Sequence, residues 1–253
     1  MKKLFNCAVL WLAFASMALA KSPKNIIIMI GDGMGINQVQ AAYTQNGGHL
    51  NMTDRCPFVG LRRTNSANSY TTDSAAGGTA IATGTKTNNG MVGMTPDSVP
   101  LNSIIRLATL KGLSTGVIAT SSLTDATPAS FVAHQPSRYM QEEIAVDYLN
   151  SDINLFIGGG RKYFERRKDG RNISEEMEEK GYEVVYSLAE AKDISGNLGV
   201  LLSEDGMEPV DKRENGFLAN ATELAIEQLS ENKKGFVLMV EGSQIDWGGH
   251  NND

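Results

Sequence analysis

Residues 25–35 read NIIIMIGDGMG, an unbroken apolar run that stops at a glycine-rich turn. A short apolar run bounded by glycine is typical of a parallel strand that is buried on both faces. We therefore predict a central strand over residues 25–30. Similar apolar runs predict further strands at 116–120, 155–157, 200–202 and 236–240.

Helical patterns lie between these apolar runs. Apolar residues recur at helical spacing in residues 104–108 and again in residues 218–229. Alternation of strands and helices predicts an α/β fold with a mostly parallel central sheet and helices on both faces. Residues 161–215 are rich in charge and glycine, and we predict that they form a peripheral excursion of the same domain.

The first 20 residues have the organisation of a secretory signal peptide. Lys2 and Lys3 precede an apolar stretch, and small residues at Ala18 and Ala20 form a cleavage pattern. The apolar stretch is short for a membrane span, and no later segment is apolar enough to cross a membrane. We therefore expect residues 21–253 to be exported, to the periplasm or the extracellular space, and not to associate with a membrane after cleavage.

Charge restricts the partners of the exported chain. Without Lys2 and Lys3 the chain has 21 basic and 29 acidic residues, a formal charge of −8. This balance excludes nucleic-acid binding through bulk charge. An anionic substrate must then be held by local cations, either arginine or metal. Cys56 is the one cysteine after cleavage, so we expect no internal disulfide.

Polar residues with metal-binding side chains follow three of the predicted strands. In open α/β sheets, ligands bind beyond the carboxyl ends of the strands, and oxygen ligands with one histidine suit Mg²⁺ or Zn²⁺. A turn role for Asp32 and a helix-cap role for Asp125 and Thr127 are the structural alternatives, whereas a buried Glu241 needs a partner or a metal. We expect His134 to be structural and His49 to be an exposed loop residue. The candidate residues are Asp32, Asp125, Thr127, Glu241, Asp246 and His250.

Ser74 lies in YTTDSAAGGTAI, residues 70–81, where nearly every neighbour is small. This run of small residues is compact enough to start a helix whose backbone approaches a ligand closely, so we predict that Ser74 begins a helix. The free N–H groups and the dipole at a helix N-terminus would then favour an anion beside the Ser74 oxygen. No histidine base is near Ser74 in sequence, so a metal ion is the natural means of stabilising its alkoxide. The alternative is an ordinary N-cap serine.

The chain contains IGDGMG at 30–35, TTDSAAGGTA at 71–80, LTDATPASFVAHQPSR at 123–138 and MVEGSQIDWGGH at 239–250. These four motifs, in this order, resemble the alkaline phosphatase family, and the resemblance extends from about residue 25 to residue 253. GGGRKYF at 158–164 is also similar to that family. TDSAAGGTA and EGSQIDWGGH are highly specific, whereas GDGMG alone is a weak indication.

The resemblance implies roles for the residues that contact substrate. Ser74 matches the nucleophile that becomes phosphoserine and also serves as a zinc ligand. Arg138 matches the arginine that binds phosphate, and Asp73 matches the neighbour that helps to orient it. Trp247 occupies a position that varies in the family among lysine, histidine and tryptophan. The resemblance therefore implies that contacts with water and phosphate at this position differ from one family member to another.

The resemblance also implies one Mg²⁺ and two Zn²⁺ ions in the complete enzyme. Asp32 matches the carboxylate that bridges one zinc and the magnesium, and Asp125 matches a residue near the waters of the magnesium. The other matched ligands are Thr127 and Glu241 for magnesium, and Asp246 and His250 for the second zinc. The family has further zinc ligands, an Asp-His pair and another histidine, that this chain does not match. We therefore expect an N-terminal portion of a longer enzyme, with a complete magnesium set, incomplete zinc sets and little activity alone.

The resulting interpretation is an exported metal-dependent phosphomonoester hydrolase that acts through a phosphoserine and binds inorganic phosphate. By resemblance to the family we also expect a homodimer. Two alternatives remain open. One is a sulfatase or phosphodiesterase of the same superfamily, and the other is a non-catalytic phosphate-binding protein.

Overall fold

A six-stranded, all-parallel sheet organises the computed structural model, which describes residues 23–253. The predicted signal peptide, residues 1–20, lies outside the described residues. Along the sheet the strand order is β1-β6-β2-β3-β5-β4. The strands are β1 (Ile26–Gly31), β2 (Ser114–Ser122), β3 (Leu155–Gly159), β4 (Tyr182–Val185), β5 (Asn197–Leu201) and β6 (Phe236–Gly242).

Helices connect the parallel strands, as crossover connections require. In residues 23–253 no helix combines the length and the apolar character that a membrane crossing needs. The helices are α1 (Ile36–Gln45), α2 (Asn51–Arg55), α3 (Ser74–Thr83), α4 (Ile104–Leu110), α5 (Ala126–Val132), α6 (Gln141–Leu149), α7 (Arg161–Glu165), α8 (Ile173–Glu179), α9 (Leu188–Ala191), α10 (Phe217–Leu229) and α11 (Gln244–Asn251).

The sheet separates two apolar layers, because successive strand residues point to opposite faces. Val117 and Met239 belong to a core that includes apolar residues of α3 to α8. Their neighbours Ile118 and Leu238 belong to a second core with α9 and α10. The predicted α/β fold, with a mostly parallel sheet and helices on both faces, is therefore confirmed. The strands predicted from the other four apolar runs are confirmed as well.

The prediction that residues 25–30 form a central strand buried on both faces is wrong in its placement. β1 forms as predicted, but within residues 23–253 it is an edge strand whose one pairing partner is β6. Ile28 packs against the first core, whereas Ile27 is 41% exposed and Met29 is 73% exposed. Composition shows that a run is apolar, but it does not show how many neighbouring strands or helices cover it.

The opposite edge of the sheet is built from residues 161–215, the predicted peripheral excursion. These residues contain β5, which pairs with β3, and β4, which pairs with β5. β4 was not among the predicted strands. Its sequence, YEVV, is short and includes an exposed charged residue, Glu183. The boundary between domain and excursion remains a prediction.

Candidate active site

The turn after β1 carries Asp32 and brings two distant segments together. Its Oδ1 accepts a hydrogen bond from the backbone N–H of Gly33 at 3.0 Å. Gly33 has a φ of +60°, and a Cβ at this position would lie 2.5 Å from Oδ1 of Asp246. A glycine is therefore required here for two reasons, the left-handed backbone and the close approach of α11.

Ser74 is the first residue of α3, and its hydroxyl is directed at Asp32. Ser74 Oγ donates to Asp32 Oδ2 at 3.0 Å. The N-cap of α3 is Asp73, whose Oδ1 accepts from the N–H of Ala76 at 2.9 Å. The prediction that Ser74 begins a helix is confirmed, and the alternative that Ser74 is an ordinary N-cap residue is wrong.

The small residues around Ser74 allow α3 to lie close against α5. Ala75 and Ala76 are buried, and Oγ of Ser130 on α5 lies 3.2 Å from the carbonyl oxygen of Ala75. A Cβ at Gly78 would lie 2.9 Å from Oγ of Ser130. Close packing between two helices therefore fixes the start of α3, and with it the position of Ser74.

Arg138 lies between two carboxylates near Ser74. Its guanidinium donates to Asp125 Oδ1 at 3.0 Å, and its second terminal nitrogen lies 3.5 Å from Asp73 Oδ2. Burial acts to lower the pKa of Arg138, but the negative charges of Asp125 and Asp73 outweigh this effect and raise it. The guanidinium is thus charged and held in position, with 23% of its side chain exposed.

Asp125 and Thr127 belong to the start of α5, directly after β2. Asp125 is the N-cap of α5 and accepts from the N–H of Ala126 at 2.7 Å. The helix-cap role and the contact with Arg138 are therefore both present at Asp125. Thr127 is buried, and its hydroxyl lies near enough to Glu241 to act against the raised pKa of that carboxyl.

Glu241 is 1% exposed and is the penultimate residue of β6, an interior strand between β1 and β2. Burial raises its pKa to about 8. Hydrogen bonds from Ser243 and Thr127 oppose this shift, whereas the carboxylates of Asp32 and Asp125 add to it. Burial likewise raises the pKa of Asp32, against the hydrogen bond from Ser74. Arg138 pairs with Asp125, but the buried Glu241 and Asp32 raise each other's need for a positive partner, and such a pair of carboxylates favours a bound cation.

The helix α11 carries three further predicted residues to the same end of the sheet. Asp246 Oδ1 lies 3.6 Å from Nε2 of His250, which is largely exposed. The ring of Trp247 lies over Gly206, where a Cβ would be 2.5 Å from the indole. The loop that contains Gly206 is held to α11 by Gln244, whose amide donates to the carbonyls of Met207 and Glu208.

The ten predicted site residues thus come together at one end of the sheet. Asp32 follows β1, the residues Asp125, Thr127 and Arg138 follow β2, and Glu241 ends β6 with α11 directly after it. Asp73 and Ser74, at the start of α3, join them through the hydrogen bond from Ser74 to Asp32. Within residues 23–253, no three His, Cys, Asp or Glu side chains form a ready metal-binding group. The predicted magnesium set has two carboxylates and a hydroxyl, and the pair Asp246 and His250 supplies two ligands. Neither the predicted magnesium set nor the Asp246–His250 pair therefore contains three His, Cys, Asp or Glu side chains.

Three residues near the site were missed by the sequence interpretation, namely Ser121, Ser243 and Gly206. The hydroxyls of Ser121 and Ser243 lie beside Glu241, and Gly206 lies beneath Trp247. EGSQIDWGGH contains Ser243, but a serine just before a helix is ordinarily a cap, so the motif did not distinguish it. Nothing near Ser121 or Gly206 in sequence distinguishes them from other small residues.

Other features of the chain lie away from this site. A groove of about 740 Å³ between α9 and α10 is lined by residues such as Leu188, Glu223 and Glu227, and none of the predicted site residues lines it. The structural role expected for His134 is confirmed by its ring contact with the carbonyl of Leu101 at 2.8 Å. His49 is exposed, as expected. Chemistry, rather than groove size, therefore locates the site.

Comparison with known proteins tests the resemblance. A sequence model described as alkaline phosphatase matches residues 23–253. The chain belongs to the alkaline phosphatase family. It is 38% identical to alkaline phosphatase 4 of Bacillus subtilis, over 91% of this chain and 53% of that protein. With the alkaline phosphatase of Escherichia coli K12 it shares 33% identity, over 89% of this chain and 61% of that protein.

Solved structures of family members have the same fold. The alkaline phosphatase from the Antarctic bacterium TAB5 matches with a TM-score of 0.87 and 40% identity, over 92% of this chain and 68% of that one. The Thermus thermophilus enzyme matches with a TM-score of 0.83 and 32% identity, over 93% and 53%. A TAB5 variant has Mg bound in its M3 site. The chain spans roughly half to three fifths of the length of the curated relatives it matches.

Proposed function

We propose that this chain carries the nucleophile and the phosphate-binding arginine of a metal-dependent phosphomonoester hydrolase. The observation that carries the proposal is the hydrogen bond of 3.0 Å between Ser74 Oγ and Asp32 Oδ2, beside a fixed Arg138. It joins the start of a helix to the carboxyl end of a sheet, where α/β proteins bind ligands. The family membership supports the same assignment.

Ser74 is the residue that attacks phosphorus in this proposal. Its bond to Asp32 holds the hydroxyl in one orientation and offers a group that accepts its proton. Since burial raises the pKa of Asp32, that carboxylate is a better proton acceptor than an exposed aspartate. The P–O bond to the leaving alcohol breaks as the Ser74 ester forms, and water then hydrolyses the phosphoserine and releases inorganic phosphate.

Arg138 binds the phosphate group. A guanidinium presents parallel N–H donors that match two oxygens of a phosphate. Asp73 and Asp125 hold the guanidinium on either side, so little rotational freedom is lost when substrate binds. The N-terminus of α3 adds a favourable partial charge for the anion.

The residues present fit the metals that the family resemblance implies. A buried Glu241, bonded to Thr127 and close to Asp32, supplies hard oxygen ligands suited to Mg²⁺. Asp246 and His250 suit one Zn²⁺, and Asp32 with Ser74 suits the other. When bound, such ions stabilise negative charge on oxygen and lower the pKa of water. Trp247, on the same helix as Asp246 and His250, is held in place by its contact with Gly206.

The two alternatives are weaker on the chemistry of the site. A sulfatase or phosphodiesterase of the superfamily usually carries threonine, or a cysteine that is converted to formylglycine, where this chain has Ser74. A non-catalytic phosphate-binding protein has no use for a serine bonded to a carboxylate. Export after cleavage of residues 1–20 and assembly as a homodimer belong to the same proposal.

A substrate comparison tests the proposed reaction. In a chimera, residues 23–253 replace the matching part of Bacillus subtilis alkaline phosphatase 4. We expect it to hydrolyse p-nitrophenyl phosphate at least roughly 10²-fold faster than p-nitrophenyl sulfate or bis-p-nitrophenyl phosphate, because a polar site loses affinity for an analogue that leaves its buried groups unpaired. Equal rates on the three esters would contradict the proposal, and binding of phosphate without turnover would favour the non-catalytic alternative.

A further inference from the structure

Ser243 occupies the N-cap position of α11 but does not cap the helix. Serine is favoured at this position because its oxygen normally accepts from a backbone N–H two or three residues later. Ser243 makes no such hydrogen bond, and its own backbone is already helical, with φ −69° and ψ −28°. Its hydroxyl instead donates backwards to Oε2 of Glu241 at 2.7 Å.

A second hydroxyl supports this contact from the neighbouring strand. Ser121 Oγ lies 3.0 Å from Ser243 Oγ and 3.5 Å from Glu241 Oε2. The backbone N–H of Ser243 donates to Oγ1 of Thr120, also on β2, at 2.9 Å. Ser121 and Ser243 are 1% and 2% exposed. The two hydroxyls, one on β2 and one directly after β6, are therefore held by buried packing, and water has little access to them.

A fixed hydrogen bond matters for a glutamate because its last torsion angle is otherwise broad. Bonding one carboxylate oxygen to a rigid hydroxyl restricts that rotation. We propose that Ser243, supported by Ser121, is a positioning residue that orients Glu241 for a divalent cation. The inference rests on the proposed function, in which Glu241 is a magnesium ligand. Hydrogen-bonding partners of metal-ligating carboxylates commonly affect metal affinity.

A merely structural hydroxyl provides the matched control. Ser122 is next to Ser121, is 4% exposed, and has its Oγ 2.7 Å from Oγ1 of Thr124. Among the contacts found in residues 23–253, its hydroxyl makes none with Glu241. Ser122→Ala therefore removes a buried hydroxyl of the same kind without touching the carboxylate.

The test measures Mn²⁺ binding by electron paramagnetic resonance on the metal-free 253-residue chain, with urea unfolding of each variant alongside. Glu241→Gln should abolish tight binding. Ser243→Ala should weaken it about tenfold, at the low end of the range for such partners, and Ser121→Ala by about two- to threefold. Ser243→Thr, which keeps the hydroxyl, should restore most of the affinity, and Ser122→Ala should leave it unchanged.

The outcomes separate the two levels of the proposal. Absence of Mn²⁺ binding in the unmutated chain, or unchanged binding in Glu241→Gln, overturns the metal site itself. Loss in Glu241→Gln with unchanged affinity in Ser243→Ala overturns the positioning role alone. A loss of Mn²⁺ affinity in Ser122→Ala equal to that in Ser243→Ala also overturns the positioning role, because it shows a general loosening of the fold. Should Ser243→Ala fail to fold, unchanged affinity in Ser121→Ala overturns the role.

Discussion

Replacing Glu241 with glutamine should change how the stability of the metal-free chain depends on pH. The folded-state pKa of Glu241 is about 8, against an ordinary value of 4.5, chiefly because of burial. Between these two values the folded state keeps a proton that the unfolded state has released. The stabilisation is therefore complete below about pH 4.5 and is lost as the pH rises towards about 8.

The size of this effect follows from proton linkage. One proton of difference lowers the free energy of unfolding by about 1.4 kcal/mol for each pH unit. Over the interval between the two pKa values the loss is on the order of 4–5 kcal/mol. Glutamine has a similar shape and carries no charge, so Glu241→Gln should remove this contribution while keeping the site uncharged, as it is in the folded chain at low pH.

Urea unfolding in EDTA, followed by far-UV circular dichroism from about pH 5 to pH 9, measures the difference. The unmutated chain should lose stability with rising pH more steeply than Glu241→Gln, and the two should converge at the acid end. Glu223→Gln, at an exposed position of α10, is the control and should keep the steep dependence. Parallel pH profiles for the unmutated chain and Glu241→Gln would refute the reasoning.

Three further predictions concern the phosphate-binding group, the packing of α3 and the zinc ligands. Arg138→Ala should weaken inhibition by inorganic phosphate in the chimera by about 2–4 kcal/mol, and an unchanged inhibition constant would exclude Arg138 from binding phosphate. Gly78→Ala should destabilise the chain by about 1–3 kcal/mol in urea because its Cβ meets Ser130 Oγ. Gly77→Ala, whose Cβ would lie at an ordinary 3.6 Å from Thr72, should stabilise the chain by up to about 1 kcal/mol, so equal effects would contradict the packing argument. The 253-residue chain should retain fewer than two zinc ions after dialysis, because Asp246 and His250 provide only part of a tetrahedral set. Elemental analysis measures the zinc that is retained. Retention of two ions, with turnover of p-nitrophenyl phosphate at the rate of the chimera, would contradict the prediction that the zinc sets are incomplete.

The sequence predicted the fold class well because the strands are short apolar runs separated by helical patterns. It did not predict that β1 lies at an edge, since the pairing of strands depends on residues far apart in the chain. Nor did it predict β4, where the alternation in YEVV is too short to stand out from its charged surroundings. Local patterns identify elements, and long-range contacts decide their places.

The candidate site was predictable to a different extent for each residue. Asp32 and Glu241 follow apolar strands, so their convergence could be expected from the topology of a parallel sheet. The roles of Arg138 and Asp73 came from the resemblance, because nothing in their spacing indicates an ion pair. Ser243 could not be singled out, since a serine before a helix is ordinarily a cap, and its contact with Glu241 appears only in three dimensions.

Identification of the phosphorylated residue tests the central claim most directly. The chimera is mixed with a phosphomonoester, quenched in acid within its first turnovers and digested for mass spectrometry. Phosphate should be found on Ser74, in the peptide that contains TTDSAAGGTA, and it should be absent from Ser74→Ala. A covalent phosphate on another residue, or one that persists in Ser74→Ala, would contradict the assignment of Ser74 as the nucleophile.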